Sequence, residues 1–140
     1  MDFELTDEQR LIQDTVRTFV DERVLPVAVQ NDIDHRLDRD LIDGMAELGI
    51  LGIVIPEEYG GAGLGLTAAS VILEEINASG GNAAVCHAQM YVLGTLLRHG
   101  SEEQKQRYLP PIATGELRLQ AFGITEPSVG SDTTQIGTRA

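Results

Sequence analysis

Apolar side chains recur at helical spacing through the first part of the chain. After Thr6 they occupy positions 12, 16, 19, 20 and 24, and charged side chains stand between them. Thr6 and Gln9 have the form of a capping box, in which a hydroxyl and an amide satisfy the first free N–H groups of a helix. The pattern therefore predicts an amphipathic helix that starts here. Pro26 is expected to kink or interrupt it, because proline has no backbone N–H.

A second helix is predicted over residues 38–48. Leu41, Ile42, Met45 and Leu48 would face inward, and Gly49 would cap the C-terminus. The apolar run at 50–55 is too short for a secure helix, so it is either a buried strand-like segment or a tight turn.

The glycine-rich stretch at 59–65 invites comparison with a nucleotide-binding loop. A dinucleotide fingerprint that used the glycines at 61 and 63 would need another at 66, where Leu66 stands. We interpret the stretch as a connecting loop, and direct phosphate binding is the weaker alternative.

Three further helices follow. One fits residues 67–78 and is broken by Gly80 and Gly81. The next, over 83–98, carries few charges, so we expect it in the middle of a bundle. A second capping box, Ser101 to Gln104, opens a helix that should end before Pro110, with a short helical turn allowed at 112–113.

The spacing changes after Gly115. Leu117, Leu119 and Ala121 alternate with polar or aromatic residues, which is typical of a strand, and residues 136–140 are a second strand candidate. Two short strands do not form a stable sheet alone, so we expect 119–124 and 136–140 to be mobile or paired with another chain. The predicted fold class is all-α, a bundle of five or six helices at 1–116. Residues 117–140 would form a short β/turn tail, the start of a β domain.

Composition narrows the functional classes. The 140 residues suit one domain, and the net charge of −12 disfavours binding to nucleic acid or to an anionic membrane. The single Cys86 excludes an internal disulfide and gives no metal-ligand cluster. The acidic N-terminus lacks the features of a targeting signal, so we expect a cytoplasmic protein.

The densest cluster of hydroxyl, carboxylate and turn residues is the segment 125–132. Pro127 favours extended geometry before it and Gly130 allows positive φ, so backbone N–H groups and Ser131 could converge on an anion. By composition alone, an ordinary polar turn is the simpler reading.

Residues 121–132, AFGITEPSVGSD, resemble the first signature of the acyl-CoA dehydrogenase family. Three other stretches are similar to that family in the same order: LTDEQ at 5–9, the residues from Leu48-Gly49 to the IPEEYGG at 55–61, and GSEEQK at 100–105 with YLP at 108–110. Subunits of this family have a helical front domain, a middle β domain and a helical rear domain. The resemblance implies that this chain holds the first and the beginning of the second.

The resemblance also implies roles for individual residues. Phe122, Gly123, Ile124 and Thr125 would lie along the flavin of FAD, with the Thr125 hydroxyl and nearby amides on its pyrimidine edge. Ser131 would meet the FAD pyrophosphate and lie near the CoA thioester of the substrate. The candidate acyl-pocket residues are Ala83, Ala84, His87 and Tyr91. A histidine on an apolar helix is more often a packing or surface residue, and Cys86 and Met90 are interpreted as packing residues.

The implied activity is conversion of an acyl-CoA to a trans-2-enoyl-CoA, with an electron-transfer flavoprotein or another acceptor as partner and a homo-oligomeric full-length protein. No residue matches the family's catalytic base, which belongs to the rear domain, so the chain is expected to be inactive alone. Glu126 lies in the flavin loop, and Glu74 and Glu75 face different directions on a helix. Gln135 and the Ser128-Val129 pair depart from the usual signature, which leaves the substrate class open. The alternatives are a stand-alone helical interaction module, or part of a related acyl-CoA oxidase or flavin monooxygenase.

Overall fold

The computed structural model describes residues 4–121 and 123–139, in which helices are the regular elements. The α-helices are α1 Asp7–Phe19, α2 Leu25–Ile33, α3 Arg39–Glu47, α4 Leu66–Ala78, α5 Ala84–His99 and α6 Glu102–Ala113. The predicted all-α bundle is therefore confirmed.

α1 begins where the capping box predicted. The Thr6 side chain accepts from the Gln9 N–H, and the Gln9 side chain accepts from the Thr6 N–H. Ahead of Pro26 the helix widens into a π-helical turn, Val20–Val24, in which the Leu25 N–H donates to the Val20 carbonyl. Such a turn accommodates a proline that cannot donate in the α-helical pattern. The chain then continues as α2 to Ile33, further than the sequence pattern indicated.

α3 ends at Glu47, and Gly49 just beyond it adopts the left-handed conformation with φ of 73°. Ile42 and Met45 are buried as predicted, whereas the prediction for Leu48 is wrong. Leu48 is 42% exposed because it follows the last helical residue and points away from the core. The run that follows is the tight-turn alternative, a 3₁₀ turn Ile50–Gly52 that is buried throughout.

Two apolar clusters form the core. The larger joins α1, α3 and α4 through residues that include Val16, Phe19, Met45, Ile72 and Ile76. The smaller joins the 3₁₀ turn Glu57–Tyr59 to α5 and α6, and its buried members are Ile55, Tyr59, Leu93, Leu109, Ile112 and Ala113. Burying such aliphatic side chains contributes about 1.5–3 kcal/mol each before entropy is counted.

Glu75 fastens α4 to α1. Its carboxylate accepts from the Gln13 amide at 2.7 Å and from the Arg17 guanidinium at 2.8 and 3.1 Å. Glu74, its neighbour, is exposed. The two carboxylates therefore do not form an acid/base pair, in agreement with the helical geometry.

α6 runs through Pro110 and Pro111 to Ala113, so the predicted end before the prolines is wrong. Each proline removes a backbone donor and normally destabilises a helix interior by about 3 kcal/mol. Leu109 and Ile112 on the same turn are fully buried. Their packing against α5 outweighs the local penalty, an effect that no short sequence window displays.

The predicted strands do not form within the described residues. The alternation at 117–121 is real, but its apolar side, Leu117 and Leu119, packs on the smaller helical cluster instead of pairing in a sheet. Residues 136–139 also lack a ladder, and the only bridge among the described residues is an isolated one between Glu126 and Val129. Phe122 and Ala140 lie outside the described residues.

Cys86 is a packing residue, as predicted. Its side chain is fully buried, with Sγ 3.5 Å from Met45 Sδ, and burial raises the pKa of the thiol to about 11. At pH 8 we expect it to react with a thiol reagent at least about 100-fold more slowly than an exposed cysteine, because only the thiolate attacks. A colorimetric thiol titration measures this rate, and urea-unfolded protein provides the control. Equal rates in folded and unfolded protein would contradict the burial.

Candidate functional site

α5 carries most of the predicted substrate-facing residues, and it is not the central helix that the sequence predicted. Cys86, Gln89 and Leu93 are fully buried on one face. Ala84, His87 and Tyr91 lie on the opposite face and are exposed within the described chain. The low charge of α5 thus reflects a second face of small and aromatic residues, not complete burial.

The exposed face has a defined aromatic pair. The His87 and Tyr91 rings meet edge to face, with centroids 5.4 Å apart and planes at 80°. Ala83 does not share this face, because it is 1% exposed and belongs to the larger core cluster. The exposed face begins with the small side chain of Ala84. The His87 and Tyr91 rings follow it, so the face is apolar at its start and carries an imidazole and a phenol hydroxyl further along.

A groove of about 620 Å³ runs between α2, α3 and the start of α5. Its volume lies in the range of small-molecule sites. Ala84 and Val85 border it, whereas His87 and Tyr91 do not. Apolar side chains such as Val24, Ile42 and Met45 form much of its wall. Of the predicted substrate-facing residues, Ala84 therefore adjoins this groove.

The segment after α6 is docked onto α5 by Gln120. The Gln120 side-chain amide donates to the Val85 carbonyl at 3.2 Å, and the Gln120 backbone carbonyl accepts from the Tyr91 hydroxyl at 3.5 Å. Arg118 forms an ion pair with Asp43 on α3. These contacts bring the chain that leads to Thr125 against the helix that carries His87 and Tyr91.

Beyond Gln120, the predicted cofactor-binding residues are open to solvent. Gly123, Ile124, Thr125 and Ser131 are all exposed, while Phe122 lies outside the described residues. Within the described chain, the backbone N–H groups of 123–125, 130 and 131 make no hydrogen bond. The loop therefore presents two hydroxyls and several free donors, which is the donor set that a flavin carbonyl edge or a diphosphate would require.

The two glycines of this loop, Gly123 and Gly130, have open space around them. A Cβ added at Gly123 or Gly130 would meet no heavy atom within 4 Å. The positive φ that the sequence suggested for Gly130 is not observed. Without side chains, both positions leave space in which another molecule could approach the backbone.

Glu126 closes the base of the loop. Its carboxylate accepts from the backbone N–H of Gly137 at 3.0 Å and from that of Thr138 at 2.7 Å, and also from the Thr138 hydroxyl. The hydrogen bond from that hydroxyl, followed by the two backbone donors, lowers the pKa of the Glu126 carboxyl. Such a carboxylate is charged at neutral pH and is occupied by structural contacts.

The described residues offer no cluster of three or more metal-binding side chains. No helix of residues 4–121 and 123–139 is long and apolar enough to cross a membrane.

Comparison with known proteins decides the family. The family model for the acyl-CoA dehydrogenase N-terminal domain matches residues 6–116. The chain belongs to the acyl-CoA dehydrogenase family. It is 44% identical to the glutaryl-CoA dehydrogenase of Desulfococcus multivorans over 138 residues, which is 94% of this chain and 35% of that protein.

Solved structures of acyl-CoA dehydrogenases share the fold. Butyryl-CoA dehydrogenase from Megasphaera elsdenii superposes with a TM-score of 0.83 at 30% identity, over 96% of this chain and 36% of that one. An acyl-CoA dehydrogenase from Bacillus anthracis in complex with FAD gives a TM-score of 0.77 at 35% identity, over 94% and 22%. The chain thus spans about a third of the length of the curated relative and less of some structures.

In this member of the acyl-CoA dehydrogenase family, sequence reasoning missed the linking role of two residues. Gln120 was one member of an alternating pattern, and nothing local indicated its two contacts with α5. Glu126 was recognised only as part of the signature, and no local signal indicated its contacts with Gly137 and Thr138.

Proposed function

We propose that this chain supplies flavin-binding and acyl-binding surfaces to a FAD-dependent acyl-CoA dehydrogenase that forms a trans-2-enoyl-CoA. One observation carries the proposal: an exposed loop, whose backbone donors at 123–125 have no partner within the described chain, is tied through Gln120 to the exposed face of α5. A flavin on the loop and an acyl chain beside α5 would then be neighbours, which transfer between them requires.

The residues present fit FAD. Thr125 and the N–H groups of Gly123 and Ile124 would donate to the pyrimidine edge, and Phe122 would lie along the ring. Ser131 and the Gly130 N–H would face the diphosphate and the CoA thioester, since hydroxyls and free amides are good partners for anionic oxygens. When bound, FAD supplies a two-electron acceptor for the substrate's β hydrogen, and donors at the pyrimidine edge favour electron density entering the ring.

Ala84, His87 and Tyr91 would form one wall of the acyl pocket. The small side chain of Ala84 leaves room for methylene groups, and the adjoining groove extends that room. Ala83 would support this wall from the core side, where its small side chain lets α5 lie close to α4.

The proton-abstracting carboxylate is proposed to come from outside these residues, so the chain alone would be inactive. Glu126 is occupied by Gly137 and Thr138, and Glu75 is occupied by Gln13 and Arg17. A general base must be within reach of the proton it removes and free to accept it. We further propose an electron-transfer flavoprotein or a similar acceptor as the redox partner, a homo-oligomeric holoenzyme and a cytoplasmic location.

The test uses the protein expressed from its whole coding sequence. After purification with FAD, saturated acyl-CoA thioesters of increasing length and glutaryl-CoA are added without oxygen. We expect the visible flavin absorbance to bleach and mass spectrometry to detect a product two hydrogens lighter. Free CoA is the control and should leave the flavin oxidised.

Two results would count against the proposal. Failure of the purified protein to retain flavin would contradict the cofactor assignment and favour a helical interaction module. Substrate-dependent oxygen uptake with hydrogen peroxide formation would instead identify an oxidase on the same fold.

A further inference from the structure

We propose that Glu126 is a positioning residue. By holding the two ends of the loop at 126–138 together, it sets the placement of the Ser131 hydroxyl relative to Thr125. This inference rests on the proposed function and assigns a role to a residue that neither the flavin nor the substrate would touch.

The first support is the convergence of donors. Both carboxylate oxygens of Glu126 are used: Oε2 by the Gly137 N–H, and Oε1 by the Thr138 N–H and hydroxyl. Hydrogen bonds to a charged acceptor are about twice as strong as those between neutral groups. One side chain therefore joins positions separated by more than ten residues along the chain.

The second support is the structure of the loop that this contact closes. Between Glu126 and Thr138 lie the Glu126–Val129 bridge, with backbone hydrogen bonds of 2.9 and 3.1 Å, and the 3₁₀ turn Thr133–Gln135. Asp132 caps that turn by accepting from the Thr134 N–H at 3.2 Å. Compact loops whose ends are close are held by such internal contacts. Ser131 lies between the bridge and the turn, so both of its flanks are held.

The third support is that the Ser131 side chain has no hydrogen-bonding partner of its own within the described chain. Thr125 adjoins Glu126 in sequence, whereas Ser131 is exposed and its side chain makes no hydrogen bond within the described chain. A ligand that contacts both hydroxyls needs them at a fixed separation. The internal contacts of the loop set that separation, and Glu126 closes the largest ring among them.

The experiment measures flavin affinity and turnover in the protein expressed from its whole coding sequence. Glu126→Ala should raise the Kd for FAD about tenfold, because binding must then order the loop. Glu126→Gln, which keeps an acceptor oxygen, should raise it about threefold. At saturating FAD, a kcat that falls more than about tenfold in Glu126→Ala would instead assign Glu126 to the reaction and overturn the positioning role. Glu116→Gln, an exposed carboxylate outside the loop, is the matched control.

A double-mutant cycle separates positioning from general destabilisation. If Glu126 acts by placing Ser131, Glu126→Ala should weaken FAD binding much less in a Ser131→Ala background, because the hydroxyl it places is gone. Hydrogen exchange adds a readout without flavin: the Gly137 and Thr138 amides should exchange faster in Glu126→Ala, while amides of α4 stay unchanged.

The outcomes distinguish the positioning role of Glu126 from the proposed function of the protein. Additive losses in the cycle, or unchanged exchange at Gly137 and Thr138, would overturn the positioning role while the proposed function stands. Faster exchange throughout α4 would also overturn it, since the effect would then be loss of fold. A wild-type protein that binds no flavin would overturn the proposed function, and this inference with it.

Discussion

Replacing Thr125 and Ser131 together by alanine is expected to weaken FAD binding about 100-fold, which corresponds to about 2.7 kcal/mol. Loss of the Thr125 hydroxyl would remove a hydrogen bond to a neutral ring edge, worth about 1 kcal/mol. Ser131 would lose a bond to a charged diphosphate, worth about 1.5–3 kcal/mol. Both side chains are exposed, so their truncation should leave the helical core intact. Fluorescence titration of FAD into the apoprotein measures the change.

The control for this pair lies in the same loop. Ser128 and Thr133 are also exposed hydroxyl residues, and neither side chain hydrogen-bonds within the described chain. A Ser128→Ala/Thr133→Ala variant should therefore retain FAD within about twofold, as expected for surface changes away from a binding contact. If the two double variants lose equal affinity, the effect belongs to the loop as a whole and the assignment of Thr125 and Ser131 is wrong.

Local chemistry explains which parts of the fold could be predicted. Thr6 with Gln9 and Ser101 with Gln104 specify helix starts within four residues, and both capping boxes form. Gly49 needs only its own backbone conformation to end α3. Such signals are complete within a short window, so a single sequence suffices to read them.

Tertiary contacts explain the failures. Pro110 and Pro111 would end a helix in isolation, but burial of Leu109 and Ile112 keeps α6 intact. Leu117 and Leu119 pack on a helical surface instead of pairing in a sheet. An alternation with a period of two cannot distinguish a helical surface from a neighbouring strand as the packing partner.

The same distinction between local signals and tertiary contacts holds in the candidate site. Signature residues such as Thr125 and Ser131 could be assigned by resemblance because they stand in a contiguous motif. Gln120 and Glu126 act across the fold, on Val85 and Thr138, and those partners become visible only when the chain is folded. Residues that would touch the ligand could therefore be proposed from the sequence, whereas the residues that hold them in place could not.

Gly61→Ala is expected to destabilise the protein by about 3 kcal/mol, at the upper end of overpacking effects. The added Cβ would lie 2.2 Å from the Ile55 carbonyl oxygen and 2.7 Å from that of Gly52. Both contacts are with backbone, which cannot move aside as a flexible side chain could. Relief would require the loop to lift away, and hydrogen bonds such as Ala62 N–H to Gly52 and Gly63 N–H to Ile55 would be lost.

Gly65→Ala is the matched control for this change. A Cβ there would meet no heavy atom within 4 Å, and the backbone φ of −84° suits any residue. Gly65 is the N-cap of α4, where alanine is less favourable than glycine, so the effect should be about 0.5–1 kcal/mol and well below that of Gly61→Ala. Urea unfolding followed by circular dichroism compares the two variants with the wild type. The close packing of residues 60–64 on the turn at 50–55 adjoins Tyr59, which belongs to the core cluster shared with α5. An unchanged unfolding midpoint for Gly61→Ala would contradict this close packing.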